Sequence, residues 1–298
     1  MTKLGRLFTA MVTPFAQDGG VDYKAAQRLA LALLESGSDG LVVAGTTGEA
    51  PTLSHGEKLS LFQAVKQAVG DRGAVIANTG THNTRASVDL TREAEGTGVD
   101  GILAVTPYYN KPTQEGLFRH FDAIAAATRL PVIMYNVPSR TSVNMTADTA
   151  IRLSHVRNIA GTKEASGDLD QIKRIITGSA DGFRVWSGSD EDTLAIVAAG
   201  GYGAVGVISH LVGQQVSSMI ELAATDKTDE AQAIHDGLVP LIKAIFTVSN
   251  PIPLKYAMNQ IGFHVGGLRL PLCEPDDEIG AEIMVEVRRH TIDLAVAV

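Results

Sequence analysis

The chain reads as an α/β protein, a closed (β/α)8 TIM barrel with a helical C-terminal appendage. Three observations predict this. Eight short apolar runs of β type recur at fairly regular intervals. Segments with helical spacing lie between them. The length, 298 residues, accommodates eight such units of a barrel of about 250 residues with some chain left over.

The strand-like runs are residues 7–12, 40–44, 74–77, 101–105, 131–135, 159–161, 183–186 and 204–208. None alternates strictly between apolar and polar residues, as expected for parallel strands buried on both faces. The first helical segment, 23–36, carries Ala26, Leu29, Ala30, Leu33 and Leu34 on one face. The second, 54–69, carries Leu61, Ala64, Val65 and Ala68, and Ser54 with Glu57 resembles a capping box at its start. Segment 83–96 begins with polar residues and carries Val88 and Leu90. Segment 115–128 carries Phe118, Phe121, Ile124 and Ala125. Strand, helix, strand in repetition requires a parallel sheet with helical crossovers.

The alternative is an open doubly wound sheet. That fold usually shows G-x-G-x-x-G after an early strand, and Gly45-Thr46-Thr47-Gly48-Glu49 is not that fingerprint. Beyond residue 208 the strands stop. Helical segments follow, broken at Pro251-Ile252-Pro253, Gly266-Gly267 and Pro271. The chain therefore divides into a barrel, 1–211, carrying the active site, and a helical region, 212–298, packed on it.

Composition excludes several classes. The formal charge of −8 gives no electrostatic footprint for nucleic acid or anionic lipid. Apolar residues at 45% supply a sizeable core. The single cysteine, Cys273, excludes an internal disulfide and fits a reducing compartment. The segment Met1 to Arg6 lacks the apolar run of a signal peptide, and no stretch approaches the ~20 apolar residues of a membrane span. A soluble cytoplasmic protein is expected. The eight histidines show no H-E-x-x-H and no ligand spacing with Cys273, and no G-x-S-x-G elbow or P-loop occurs. No metal site is expected.

In a barrel of this kind the chemistry sits where the strands end. Those ends carry Thr46 and Thr47, Tyr108 and Tyr109, Tyr135 with Arg140, Lys163, and Ser187-Gly188-Ser189-Asp190. Lys163 stands out among ten lysines because it directly follows a buried strand. A desolvated amine has a lowered pKa and can attack a carbonyl, the requirement for imine catalysis. Position alone also allows a lysine paired with Glu164 or Asp168. Tyr109, Tyr135 and Thr46 can form a hydroxyl chain that moves protons. Each tyrosine can equally be a packed ring with its hydroxyl satisfied. Arg140 suits bidentate binding of a carboxylate, or a surface ion pair. Thr46 and Thr47 suit a second carboxylate, or a capping turn.

The motifs Gly45-Thr46-Thr47-Gly48-Glu49, Tyr108-Tyr109-Asn110-Lys111-Pro112, Tyr135-Asn136-Val137-Pro138-Ser139-Arg140-Thr141 and Gly161-Thr162-Lys163-Glu164-Ala165-Ser166-Gly167 closely resemble the 4-hydroxy-tetrahydrodipicolinate synthase (dihydrodipicolinate synthase) family. Gly200-Gly201-Tyr202-Gly203 and Asn250-Pro251-Ile252-Pro253-Leu254-Lys255 resemble it too. The family belongs to the pyruvate-dependent class I aldolases. The resemblance implies a lyase condensing pyruvate with L-aspartate 4-semialdehyde, in the diaminopimelate route to lysine. It implies an imine at Lys163 and a relay of Thr46, Tyr109 and Tyr135, with Tyr109 supplied by a neighbouring subunit. It implies Thr46 and Thr47 on the pyruvate carboxylate, Arg140 on the semialdehyde carboxylate, and backbone of Gly188 and Val205 around the lysine. It also implies a homotetramer built as a dimer of dimers, with no cofactor.

Two departures stand out. Ser189 lies where the family often has aspartate. The positions matching the family's lysine feedback site read His55, Lys58, His82, Ala86 and Tyr108. Ala86 supplies no carboxylate and Lys58 adds a cation, so weak or absent inhibition by lysine is expected. The rival readings are an N-acetylneuraminate lyase or keto-deoxy-sugar-acid aldolase type of enzyme, a non-catalytic oligomeric paralogue, and a phosphate-binding barrel isomerase. The last lacks a Gly-rich cradle at Ser209-His210-Leu211-Val212.

Overall fold

Eight parallel strands pair in sequence order, and the eighth returns to the first, closing a barrel. The strands are β1 (Leu7–Ala10), β2 (Gly40–Val43), β3 (Ala74–Asn78), β4 (Gly101–Val105), β5 (Val132–Asn136), β6 (Ile159–Glu164), β7 (Arg184–Ser187) and β8 (Gly203–Gly206). The computed structural model describes residues 4–295. Residues 1–3 and 296–298, which the sequence reading includes in its N-terminal segment and C-terminal region, lie outside the described residues.

The helices are α1 (Tyr23–Glu35), α2 (His55–Val69), α3 (Thr84–Glu95), α4 (Gln114–Ala125), α5 (Pro138–Thr141), α6 (Ala147–Ser154), α7 (Leu169–Gly178) and α8 (Thr193–Ala198). Then follow α9 (Ser209–Ala224), α10 (Thr228–Ile245), α11 (Ile252–Gln260) and α12 (Asp277–Val287). Many starts are written locally in the sequence. Asp22, Asn83, Thr113 and Asp168 each accept a backbone N–H at a helix N-terminus. The capping box of Ser54 and Glu57 is present in both directions. Each such cap contributes about 1 kcal/mol.

Strand residues alternate between two apolar layers, which is why the runs read as continuously hydrophobic. Leu41, Val43, Ala77, Ile102 and Met134 face the helices. Phe8, Val42, Ile76, Leu103, Ile133 and Trp186 fill the barrel interior. Trp186 is fully buried and donates its indole N–H to Gly5 O at 3.0 Å. Phe8 and Tyr202 meet it edge-on, at 6.1 and 5.4 Å between ring centroids. This cluster fills the interior beside the strand residues that carry the site.

Helix α9 packs on β1, β8, α1 and α8. Helices α10, α11 and α12 pack on one another, and α10 also on α8 and α9. Among the described residues no helix is long and apolar enough to cross a membrane.

Candidate active site

A register shift in β6 aims Lys163 into the barrel. Val132 pairs with Ile159, but the next residue, Ile133, pairs with Gly161, so Ala160 is an extra residue on β6. Beyond the bulge Tyr135 pairs with Lys163 and Lys163 with Trp186. Side chains alternate along a strand, so without the extra residue Lys163 would face the helices. The sequence reading ends this strand at residue 161 and sets Lys163 just after it. The strand instead runs through Glu164, and Lys163 is a strand residue. Gly161 permits this close pairing, because a Cβ there would lie 2.6 Å from the Trp186 ring.

The Lys163 side chain is 6% exposed, with Nζ 4.3 Å from the centre of the Tyr135 ring. It makes no ion pair with Glu164 or Asp168 among the described residues. Asp168 instead caps α7, and Glu164 points to the other side of the strand, toward Asn136 Nδ2 at 3.3 Å. Burial lowers the Lys163 pKa to about 8. The Asp190 carboxylate acts against that shift, and the Arg140 guanidinium acts with it. Burial raises Asp190 to about 6, while the backbone N–H of Val207 and the lysine hold it down. Asp190 sits in the strand-seven motif, but sequence alone gives it no role.

The lysine opens into a cavity of about 820 Å³ at the C-terminal ends of the strands. Thr46, Thr47, Tyr135, Arg140 and Gly188 line it with Lys163. The Tyr135 phenol is pushed up to about 12 by burial, and Arg140 and a hydrogen bond with Thr46 partly offset this. Arg140 lies exposed on the short helix α5 and has no ion pair among the described residues. Gly188 packs its backbone on the lysine stem, where a Cβ would come within 2.9 Å of Lys163 Cε. Ser189 and Asp190 also line the cavity.

Two of the expected residues are not among those lining the cavity. Val205 is fully buried inside the barrel, paired with Phe8, while Val207, two residues on, lines the cavity. Tyr109 is 91% exposed with φ 75° and does not line its own chain's cavity. Tyr108 lines the cavity and meets the His82 ring edge-on at 5.1 Å. Of the remaining feedback positions, Lys58 lines the cavity, His55 pairs with Glu93 at 3.1 Å, and Ala86 is exposed.

The C-terminal region contributes residues that sequence reasoning missed. Ile242, Lys243 and Phe246 of the α10 end line the cavity, as does Asn250. Asn250 Nδ2 donates to Thr47 Oγ1 at 2.8 Å. Lys255 of α11 pairs with Glu49 at 2.9 Å and also donates to Thr13 O and Gly267 O. Glu49 holds a left-handed backbone, φ 55°, closing the turn that displays Thr46 and Thr47. The only sequence signal was the motif around Asn250 and Lys255, which names residues without naming partners.

The arrangement joins a lysine whose pKa is lowered to about 8, a phenol and a hydroxyl in contact, and a guanidinium at one mouth. The dihydrodipicolinate synthetase family matches residues 3–290 of the chain. A 4-hydroxy-tetrahydrodipicolinate synthase of Dehalococcoides mccartyi is 57% identical over 296 residues, 99% of this chain and 100% of that protein. A dihydrodipicolinate synthase structure from Bacillus anthracis superposes with a TM-score of 0.95 at 42% identity, covering 97% of this chain and 99% of that one. A chloride-inhibited dihydrodipicolinate synthase from Acinetobacter baumannii, complexed with pyruvate, superposes at 0.93 with 37% identity, covering 96% and 98%. With the barrel, the lysine and these matches in hand, the chain belongs to the dihydrodipicolinate synthetase family.

Proposed function

We propose that the chain is a lyase that condenses pyruvate with L-aspartate 4-semialdehyde to 4-hydroxy-tetrahydrodipicolinate, through an imine on Lys163. The relatives' shared name supports the reaction. The observation that carries the mechanism is the buried amine of Lys163, with its pKa lowered to about 8, facing a cavity beside Tyr135. Neutral Nζ adds to the keto carbon, and loss of water gives the imine. Tyr135, with Thr46, carries protons to and from the adding and departing oxygens. Loss of a methyl proton gives an enamine, whose carbon bonds to the aldehyde carbon. The amino group of the adduct then attacks the imine carbon, closes the ring and frees Lys163.

Thr47 and Thr46 hold the pyruvate carboxylate in this reading, and Arg140 the semialdehyde carboxylate. Tyr109 serves the cavity of a second copy, in the homotetramer that the family resemblance implies. The chemistry calls for no metal or organic cofactor, because the lysine itself is the electron sink.

The test is reduction with borohydride in the presence of pyruvate, followed by peptide mapping. An adduct on Lys163 is expected, and an adduct on another residue overturns the assignment. Turnover is followed by coupling to dihydrodipicolinate reductase and NADPH oxidation, and Lys163→Ala is expected to abolish it. Trapping without turnover would direct the search to sugar-derived aldehydes.

A further inference from the structure

We propose that Asn250 is a positioning residue that fixes the hydrogen-bond polarity of Thr47, so that the threonine hydroxyl donates into the cavity to the keto-acid carboxylate. This rests on the reading of Thr47 as a pyruvate contact. Asn250 and Thr47 are 6% and 3% exposed, and the amide Nδ2 donates to Thr47 Oγ1 at 2.8 Å. A hydroxyl has one proton and two lone pairs. With one lone pair engaged by Asn250, the hydroxyl proton of Thr47 meets no acceptor among the described residues. Thr47 lines the cavity, so that proton is available to an anion there. An acceptor at position 250 would reverse the bond. It would take the Thr47 proton and turn a lone pair toward the carboxylate.

The placement of Asn250 makes the device independent of the strands. It lies in the segment between α10 and α11, 203 residues from Thr47 in sequence. Its own Oδ1 is buried without a partner among the described residues. The amide therefore does not gain a full set of bonds from its surroundings. Its donated bond to Thr47 ties it to the site.

The test compares Asn250→Asp, Asn250→Ala, Thr47→Val and the pair Asn250→Ala with Thr47→Val. Each is assayed for KM toward pyruvate, KM toward the semialdehyde and kcat, with thermal unfolding as a folding control. A bond to a charged group is expected to show as about a tenfold rise in pyruvate KM in Asn250→Asp. The semialdehyde KM should stay within about twofold of wild type, since the bond faces the other substrate. In Asn250→Asp the excess over wild type should shrink as pH falls, because a protonated carboxyl donates again. Asn250→Ala should raise pyruvate KM in the wild-type background and add little when Thr47 is already valine. Unchanged pyruvate KM in the folded variants, equal effects on both substrates, or full additivity with Thr47→Val overturns the proposal. Wild-type protein that borohydride and pyruvate fail to label at Lys163 instead overturns the functional reading beneath it.

Discussion

Lys255 and Glu49 form an ion pair at 2.9 Å in which both side chains are fully shielded from solvent. Lys255 comes from α11 and Glu49 from the turn that displays Thr46 and Thr47. Glu49 Oε2 also accepts the backbone N–H of Arg269 at 3.0 Å. Breaking such a pair strands a buried charge, at a cost of about 3–5 kcal/mol. Lys255→Met is therefore expected to lower the melting temperature by roughly 10 °C for a chain of this size. Lys255→Met with Glu49→Gln should lose less than the two single changes summed, because no charge is then left alone. Calorimetry of the four proteins checks this.

The imine step needs the neutral amine of Lys163. Its pKa of about 8 means that the rate of pyruvate trapping at low pyruvate rises with pH and levels above about 8. Below that point the neutral fraction falls about tenfold per pH unit. Asp190 raises the lysine pKa, so Asp190→Asn should move the midpoint down. Arg140 lowers it, so Arg140→Ala should move the midpoint up. A pH series of borohydride trapping, read by mass, separates the two directions.

Tyr135→Phe keeps the ring against Lys163 and removes only the hydroxyl. A proton carrier contributes about 10²–10⁴ in rate, so kcat is expected to fall within that range while the fold persists. Thr46→Val should fall less, and the double change should cost less than the product of the two. Steady-state kinetics with circular dichroism as the folding check will show this.

Glu57 and Arg269 meet at 2.6 Å, which together with the Ser54 cap holds the Glu57 carboxyl down to about 2. The folded pKa is depressed, so the stabilisation is present above about 4.5 and is lost as pH falls toward 2. The pair is partly solvated, which limits its size. Glu57→Gln is expected to flatten the acid limb of a stability-versus-pH curve between those values. Urea midpoints across that range test it.

Added L-lysine is expected to inhibit weakly or not at all. Ala86 is an exposed methyl where a carboxylate would be needed for the ligand's ammonium. Lys58 lines the cavity, and burial already presses its amine toward the neutral form. A second ammonium nearby would add repulsion. Strong inhibition below millimolar lysine would refute this reading, and Lys58→His with Ala86→Glu should strengthen any binding.

The sequence carries the fold because its signals are local. Ser54 and Glu57 lie three residues apart, so the start of α2 is readable from one short stretch. The eight apolar runs likewise announce strands without any partner. Lys163 is legible as a nucleophile, but its direction is not. That depends on Ala160 having no opposite number on β5, a property of two strands together. Glu49 with Lys255 and Thr47 with Asn250 are separated by 206 and 203 residues, and no spacing rule relates such pairs. Tyr109 is written plainly in its motif, yet its own chain gives it nothing to touch in the cavity.

The cavity wall is completed by Ile242, Lys243, Phe246 and Asn250, all downstream of the last barrel strand. During synthesis the lysine, the tyrosine and both threonines emerge first. The turn bearing those threonines then waits for Lys255 before its buried carboxylate is matched. A nascent chain can thus hold every reacting group and still lack a chamber in which to use it. The chamber is closed only by the last part of the chain to be made.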